Sequence, residues 1–177
     1  DVYVNKYGGL SISVCNKLFK IEVLQNCRFD VNKTSEDVFF SLKWIQNTNR
    51  YGRICSPMYF YVQRDGSITH ALKYSNKNLD IVEGYEKNLK LIKSYYPGAV
   101  SAAYIRLFWA YRVALERGYA CVDKDEHLDV VYDLLQKIRV GWKFWLFNKD
   151  ISFKAKVAYV LISLNVDLYM WVRKKMK

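Results

Sequence analysis

The sequence R-F-D-V-N-K-T-S-E-D-V-F-F occupies residues 28–40, and the organisation of the chain is inferred from it. Its centre is a pair of adjacent acids, Glu36 and Asp37. Thr34 or Ser35 can cap a helix whose first turn holds both acids, where unpaired backbone N–H groups and the helix dipole favour carboxylates. The apolar residues that follow at helical spacing predict one buried face: Val38, Phe39, Leu42 and Ile45. A carboxylate held by such a packed helix at the rim of a cleft can act as a general base.

Acids in the first turn of a helix are common for electrostatic reasons alone, so this pair needs support from other motifs. Upstream, N-K-L-F occupies residues 16–19, and downstream, Y-x-Y-x-x-R-x-G-S-I-T occupies residues 59–69. In this order, the three motifs resemble the C-terminal half of the catalytic domain of bacterial family 2 glycosyltransferases. The resemblance covers residues 10–69, with weaker similarity as far as residue 97.

The resemblance implies a fold of the α/β class. Residues 1–72 would form the C-terminal half of a GT-A nucleotide-diphospho-sugar transferase domain, and residues 73–177 an α-helical extension. Alternation of apolar residues predicts a strand at 10–18, and a second predicted strand at 54–62 is broken by Pro57, as at a sheet edge. The donor-binding half, with its Asp-x-Asp metal motif, would precede this chain. We therefore expect the sequence to be a fragment of a larger enzyme, or a protein that has lost its donor-binding half.

The resemblance also implies an inverting mechanism. Asp37 would take the proton of an acceptor hydroxyl while that oxygen attacks the anomeric carbon of a nucleotide-diphosphate sugar. Glu36 would orient the acceptor or Asp37 itself. The acceptor would be a surface glycan or a lipid-linked molecule, as in capsule or lipopolysaccharide synthesis. A divalent metal, Mg²⁺ or Mn²⁺, is expected in the complete enzyme, with ligands mostly outside this chain.

Five further residues are candidate substrate contacts: Asn16, Lys17, Tyr61, Arg64 and Ser67. In the family the Asn-Lys pair lies close to the active site, so Lys17 is expected to contact phosphate or acceptor; a solvated lysine at a strand end is the alternative. The guanidinium of Arg64 suits a diphosphate or a sugar carboxylate, and Ser67 adds a hydroxyl in a tight turn. An ordinary Asp-Gly turn is the alternative there. Tyr61 can stack on a sugar ring or pack in the core.

Two groups of polar residues could be mistaken for a metal site or a catalytic triad. Asp123-x-Asp125 has the spacing of a metal motif, but Asp123 with Glu126 three positions later is typical of a capping box that opens a helix. His70 and His127 are too isolated for a histidine-based triad or a zinc site. Neither group is therefore predicted to bind a metal.

Composition limits the class of protein. Of the 177 residues 51% are hydrophobic and 16% aromatic, which excludes a disordered chain. The formal net charge of +11 predicts an anionic partner, such as a nucleotide diphosphate, an acidic glycan or an anionic lipid. Nucleic acid is disfavoured because the basic residues are spread along the chain without a recognition motif. The four cysteines lack metal or disulfide spacing, which favours reduced thiols.

The second half of the chain has helical periodicity. Apolar residues recur at three- and four-residue steps in four segments, predicting antiparallel helices at 79–96, 99–117, 123–139 and 150–175. The segment G-W-K-F-W-L-F at 141–147 and the basic C-terminus suit the headgroup region of an anionic membrane, although aromatics that cover a helical core are an equal alternative. The expected location is the cytoplasm, with peripheral contact at the inner face of the cell membrane left open.

Two questions about function stay open from the sequence. The competing function is a non-enzymatic, basic helical module that binds an anionic membrane or a partner subunit, in which the acidic pair only caps a helix. Self-association into a homo-oligomer is a second open point. The sugar, the nucleotide and the acceptor are not specified by any residue pattern.

Overall fold

The computed structural model describes residues 12–54, 56–60, 62 and 73–176. These residues form seven α-helices: α1 (Glu36–Gln46), α2 (Asp80–Tyr95), α3 (Val100–Ala120), α4 (Leu128–Val140), α5 (Trp142–Phe147), α6 (Phe153–Leu164) and α7 (Val166–Lys175). Short 3-10 helices cover Ile21–Leu24, Asn76–Leu79, Pro97–Ala99 and Lys124–His127.

The predicted α/β fold class is wrong for the described part of the chain, which contains helices and no β-strand. Residues 12–18 of the first predicted strand form turns and irregular backbone, and so do 54, 56–60 and 62 of the second. A strand is stable only where neighbouring strands pair with its N–H and C=O groups. Alternating apolar residues do not by themselves provide that neighbour, so the GT-A assignment fails here. The proposed boundary between residues 72 and 73 remains a prediction.

The helices predicted at 79–96 and 99–117 are confirmed as α2 and α3. Pro97 follows α2 closely, because a proline cannot donate the next helical hydrogen bond. Helix α3 has 21 residues and packs against both α2 and α4. Helix α3 lies at the centre of the fold, because residues on several of its sides are buried; Ala110 and Leu115 are fully buried.

Two of the other predicted helices differ from the structure. The segment 123–139 begins with the 3-10 turn Lys124–His127, and only then continues as α4. The segment 150–175 is not one helix: Asn165 has an extended backbone that ends α6, and its side chain accepts a hydrogen bond from Leu168 N–H at the start of α7. An asparagine oxygen that caps a new helix explains the break.

One continuous core joins α1 to α7. It contains residues from every α-helix and includes large side chains with almost no exposure: Val38, Tyr85, Ile92, Leu115, Leu134, Ile138 and Ile162. Helix α5 contributes Trp145, whose indole N–H donates to the carbonyl oxygen of Ile138 at 2.8 Å. None of the helices in the described ranges is long and apolar enough to cross a membrane.

Candidate active site

The first turn of α1 carries the two acids, as predicted, but its N-terminus is not capped as predicted. Ser35 has a left-handed backbone (φ 56°) and makes no side-chain cap hydrogen bond. The Thr34 hydroxyl is used elsewhere, since it bonds to the Lys77 carbonyl oxygen at 2.6 Å and to the Asp80 carboxylate. The start of α1 is therefore held by hydrogen bonds to α2 and to the 3-10 turn Asn76–Leu79 that precedes α2, and not by a local cap.

One face of α2 holds this start in place. Asp80, Gly84 and Asn88 are spaced by four residues and so lie in a row on the helix. The carboxylate of Asp80 accepts from Thr34 N–H at 2.7 Å, and the Asn88 side chain donates to the Val38 carbonyl oxygen at 3.0 Å. Both polar side chains are buried, where such bonds are costly to lose.

A lysine strengthens the same contact. The ammonium of Lys33 lies 3.1 Å from the carboxylate of Asp80 and also bonds to Glu83, so that residues just before α1 pair with the first turn of α2. These pairs raise the pKa of Lys33 and lower that of Glu83. The backbone is thus hydrogen-bonded to α2 on both sides of the two acids, at Thr34 and at Val38.

The opposite side of α1 packs against residues 12–30. Phe40 and Trp44 form a second small core with Cys27, and the rings of Phe19 and Trp44 meet edge to face at 5.3 Å. The Lys43 ammonium pairs with Asp30 at 2.6 Å. Helix α1 therefore lies between α2 and the segment that carries the N-K-L-F motif.

This packing brings two of the three motifs together. The charges of Lys17 and Asp37 interact, and Asn16 lies beside them because its amide oxygen accepts from the Lys17 ammonium at 3.1 Å. Lys17 also donates to the carbonyl oxygen of Ser13. Four of the predicted site residues (Asn16, Lys17, Glu36 and Asp37) are thus in one region.

Burial dominates the electrostatics of this region. It raises the pKa of Asp37, the neighbouring charge of Glu36 adds to the increase, and backbone N–H groups and Lys17 offset part of it. Burial likewise lowers the pKa of Lys17, against the attraction of Asp37. Both groups therefore take their neutral forms more readily than in water, which suits a group that accepts a proton and returns it.

The third motif cannot be placed. Tyr61, Arg64 and Ser67 lie outside the described residues, as does His70. Of their described neighbours, Met58, Tyr59 and Phe60 are exposed. The roles predicted for Tyr61, Arg64 and Ser67 therefore remain predictions.

No metal ligand is assigned within the described ranges, where no three His, Cys, Asp or Glu side chains come together. The expected divalent metal thus stays a prediction for the complete enzyme. Asp123 is not the capping-box residue predicted from sequence. It makes no cap bond, and its carboxylate accepts instead from Tyr74 N–H at 2.9 Å.

Sequence reasoning missed the residues that position the acids. Asp80, Gly84 and Asn88 were not singled out, because a buried acid, glycine and amide in a row on one helix resemble an ordinary solvated face in sequence. The signal that could have revealed them is their four-residue spacing, which places all three in one row on the helix.

The chain was compared with protein-family models, with curated proteins and with solved structures, and none of them matches it. The likeness to family 2 glycosyltransferases thus rests on the three motifs alone.

Proposed function

We propose that this chain contributes the acceptor side of a glycosyltransferase active site, with Asp37 as the general base of an inverting sugar transfer. The donor would be a nucleotide-diphosphate sugar, and the acceptor a surface glycan or a lipid-linked molecule. The observation that carries the proposal is the partial burial of Asp37 in a region where its charge interacts with that of Lys17, which belongs to a different motif. The proposed place of action is the inner face of the cell membrane, which suits a lipid-linked acceptor.

The chemistry follows from what each side chain can do. A carboxylate oxygen of Asp37 accepts the proton of the acceptor hydroxyl as its oxygen bonds to the anomeric carbon. The bond from that carbon to the diphosphate breaks, and the diphosphate leaves with the electron pair. Lys17 and Asn16 supply hydrogen-bond donors near the base for phosphate or acceptor, while the exposed Glu36 orients the acceptor.

Three features of Asp37 favour a general base over an acid that only stabilises the first turn of a helix. Asp37 is half-buried, its pKa is raised, and a partly desolvated lysine lies near it. An acid that only interacts with a helix dipole would be better placed in water, with a lowered pKa. The competing function, a non-enzymatic module that binds a membrane or a partner subunit, requires no proton affinity at this position.

The test is the substitution Asp37→Asn in the protein that is encoded by the whole reading frame containing this chain. Transfer to glycan and lipid-linked acceptors is assayed with a panel of nucleotide-diphosphate sugars. We expect turnover to fall by about 100-fold or more, since general-base catalysis contributes 10²–10⁴-fold. Donor binding, measured by calorimetry, should remain within about twofold because the substitution keeps the shape of the side chain.

Asp125→Asn is the matched control, because Asp125 is an exposed acid at the start of a different helical turn. Its turnover should equal that of the unmodified protein. Substantial residual transfer by Asp37→Asn would contradict the assignment of the base. Absence of transfer by the unmodified protein with every donor would instead favour the non-enzymatic function.

A further inference from the structure

Helix α6 is apolar on two opposite faces. Tyr159 and Ile162 point into the core and are buried. On the other face, four apolar side chains recur at steps of four, three and four residues, and we call them the outer stripe: Phe153, Val157, Val160 and Leu164, which are 81%, 41%, 37% and 75% exposed. An apolar face of a helix is normally covered by a packing partner, and only one of the two apolar faces of α6 has one among the described residues. The outer stripe therefore needs a further contact outside the described fold.

The neighbouring helices expose large apolar side chains as well. On α5, Trp142 and Phe147 are exposed, and their ring centroids lie 6.2 Å apart. On α7, Leu168 and Trp171 are exposed one turn from each other. Aromatic side chains of this kind are enriched where a protein meets the interface of a bilayer.

The charges on α6 itself have one sign. Lys154 and Lys156 lie on either side of it at helical spacing, and α6 contains no acidic residue. From Trp142 to Lys177 the sequence has eight lysine or arginine residues and two acids. An apolar stripe between cations is complementary to a surface that is apolar inside and anionic outside.

We infer that the outer stripe, with Trp142 and Phe147, binds the surface of an anionic phospholipid bilayer. Helix α6 would lie in the plane of the interface with its outer stripe toward the acyl chains, while Lys154 and Lys156 contact lipid phosphates. At 12 residues it is about 18 Å long, too short to span the bilayer. A second copy of the chain fits this face less well, since a twofold contact would bring like-charged lysines together.

This inference does not depend on the proposed glycosyltransferase activity, because it concerns a different part of the molecule. Should both hold, the membrane contact would keep the active site near a lipid-linked acceptor. Binding can be measured without any sugar donor, so failure of one proposal is distinguishable from failure of the other.

The experiment is co-flotation of the full chain with vesicles of phosphatidylcholine alone or with an equal part of phosphatidylglycerol. We expect binding only to the vesicles with phosphatidylglycerol, with a strong decrease at high salt. Trp142 and Trp171 should show a blue shift of their emission and quenching by brominated acyl chains. The paired substitution F153S with V160S should weaken binding by at least about tenfold, since burying one large apolar side chain contributes roughly that much.

Two matched controls separate this surface from general effects of composition. V122S with V140S removes two exposed valines outside the outer stripe, and should bind as the unmodified chain does. K154E with K156E should abolish the preference for anionic lipid. K20E with K90E changes the net charge equally through exposed lysines elsewhere, and should reduce binding far less.

Circular dichroism checks that each variant keeps its helices. The inference is overturned if the folded chain binds neutral vesicles equally well, or binds none. It is also overturned if F153S with V160S binds like its control. A dimer that F153S with V160S dissociates would assign the outer stripe to a second copy of the chain instead.

Discussion

At the scale of single residues, the two adjacent acids prove to be in different environments. Glu36 is exposed, whereas Asp37 is half-buried and interacts with the charge of Lys17. Successive side chains of a helix point about 100° apart, so two adjacent residues can differ in their exposure to solvent. The sequence pattern alone did not separate them, and Asp37 was preferred as the base only through the resemblance to a family.

The raised pKa of Asp37 predicts an effect on stability. Where the pKa of a carboxyl is higher in the folded state than in the unfolded state, ionisation at neutral pH opposes folding. Asp37→Asn removes this opposition and should raise the midpoint of urea unfolding at pH 7. The gain should shrink as the pH falls through the raised pKa of the folded state, and vanish below the pKa of the unfolded state.

Urea unfolding followed by circular dichroism from pH 3 to pH 8 checks this expectation. Asp125→Asn, at an exposed acid, should leave the midpoint within error at each pH. A midpoint for Asp37→Asn that decreases at pH 7 would show that the ionised carboxylate stabilises the start of α1. It would therefore count against Asp37 as a base with raised proton affinity.

At the scale of elements, the site depends on how closely α1 approaches α2. Gly84 is the point of contact, because a Cβ atom there would lie 2.8 Å from Cγ1 of Val38 and 3.2 Å from the ring of Phe39. Both neighbours are buried and cannot easily move. The glycine is required for close packing, although glycine within a helix is unfavourable by itself.

Gly84→Ala should therefore lower the free energy of unfolding by about 1–3 kcal/mol, despite the higher helix propensity of alanine. Gly98→Ala is the matched control, since a Cβ atom there has no neighbour within 4 Å and its effect should stay within about 0.5 kcal/mol. Denaturant unfolding measures both variants. Equal stability of Gly84→Ala and the unmodified chain would contradict the packing of α1 on α2.

At the scale of the whole molecule, a buried carboxylate connects the third helix to the last. Glu116 on α3 is buried and pairs with Arg173 of α7 at 2.9 Å. The hydroxyl of Tyr169 also bonds to Glu116, and burial together with this bond raises the pKa of Tyr169 to about 12. These contacts join residues more than fifty positions apart.

Arg173→Met should lower the free energy of unfolding by about 1–2 kcal/mol, because it leaves a buried carboxylate with fewer partners. Lys174→Met changes the exposed neighbour and should have little effect. The double variant Glu116→Gln with Arg173→Met should be more stable than the sum of the two single variants predicts. Additive effects of the two substitutions would show that the pair does not contribute to the attachment of α7.

Much of the helical architecture could be predicted from the sequence. The periodicity of the apolar residues gave α2 and α3 with ends within a few residues. Pro97 marks the end of α2, whereas α3 continues past Gly118 to Ala120. The acids at the start of α1 were also predicted. These features depend on interactions within one turn or one face, which the local sequence specifies.

Only the tertiary structure decided the rest. Whether residues 12–18, 54, 56–60 and 62 form strands depends on a pairing partner, and none of the described residues supplies one. Whether the pKa of Asp37 is raised or lowered depends on its burial and on its neighbouring charges, which the packing of α1 against α2 and residues 12–30 determines. Periodicity fixes which face of a helix is apolar, but contacts between distant residues determine the environment of each charge and the faces that remain exposed.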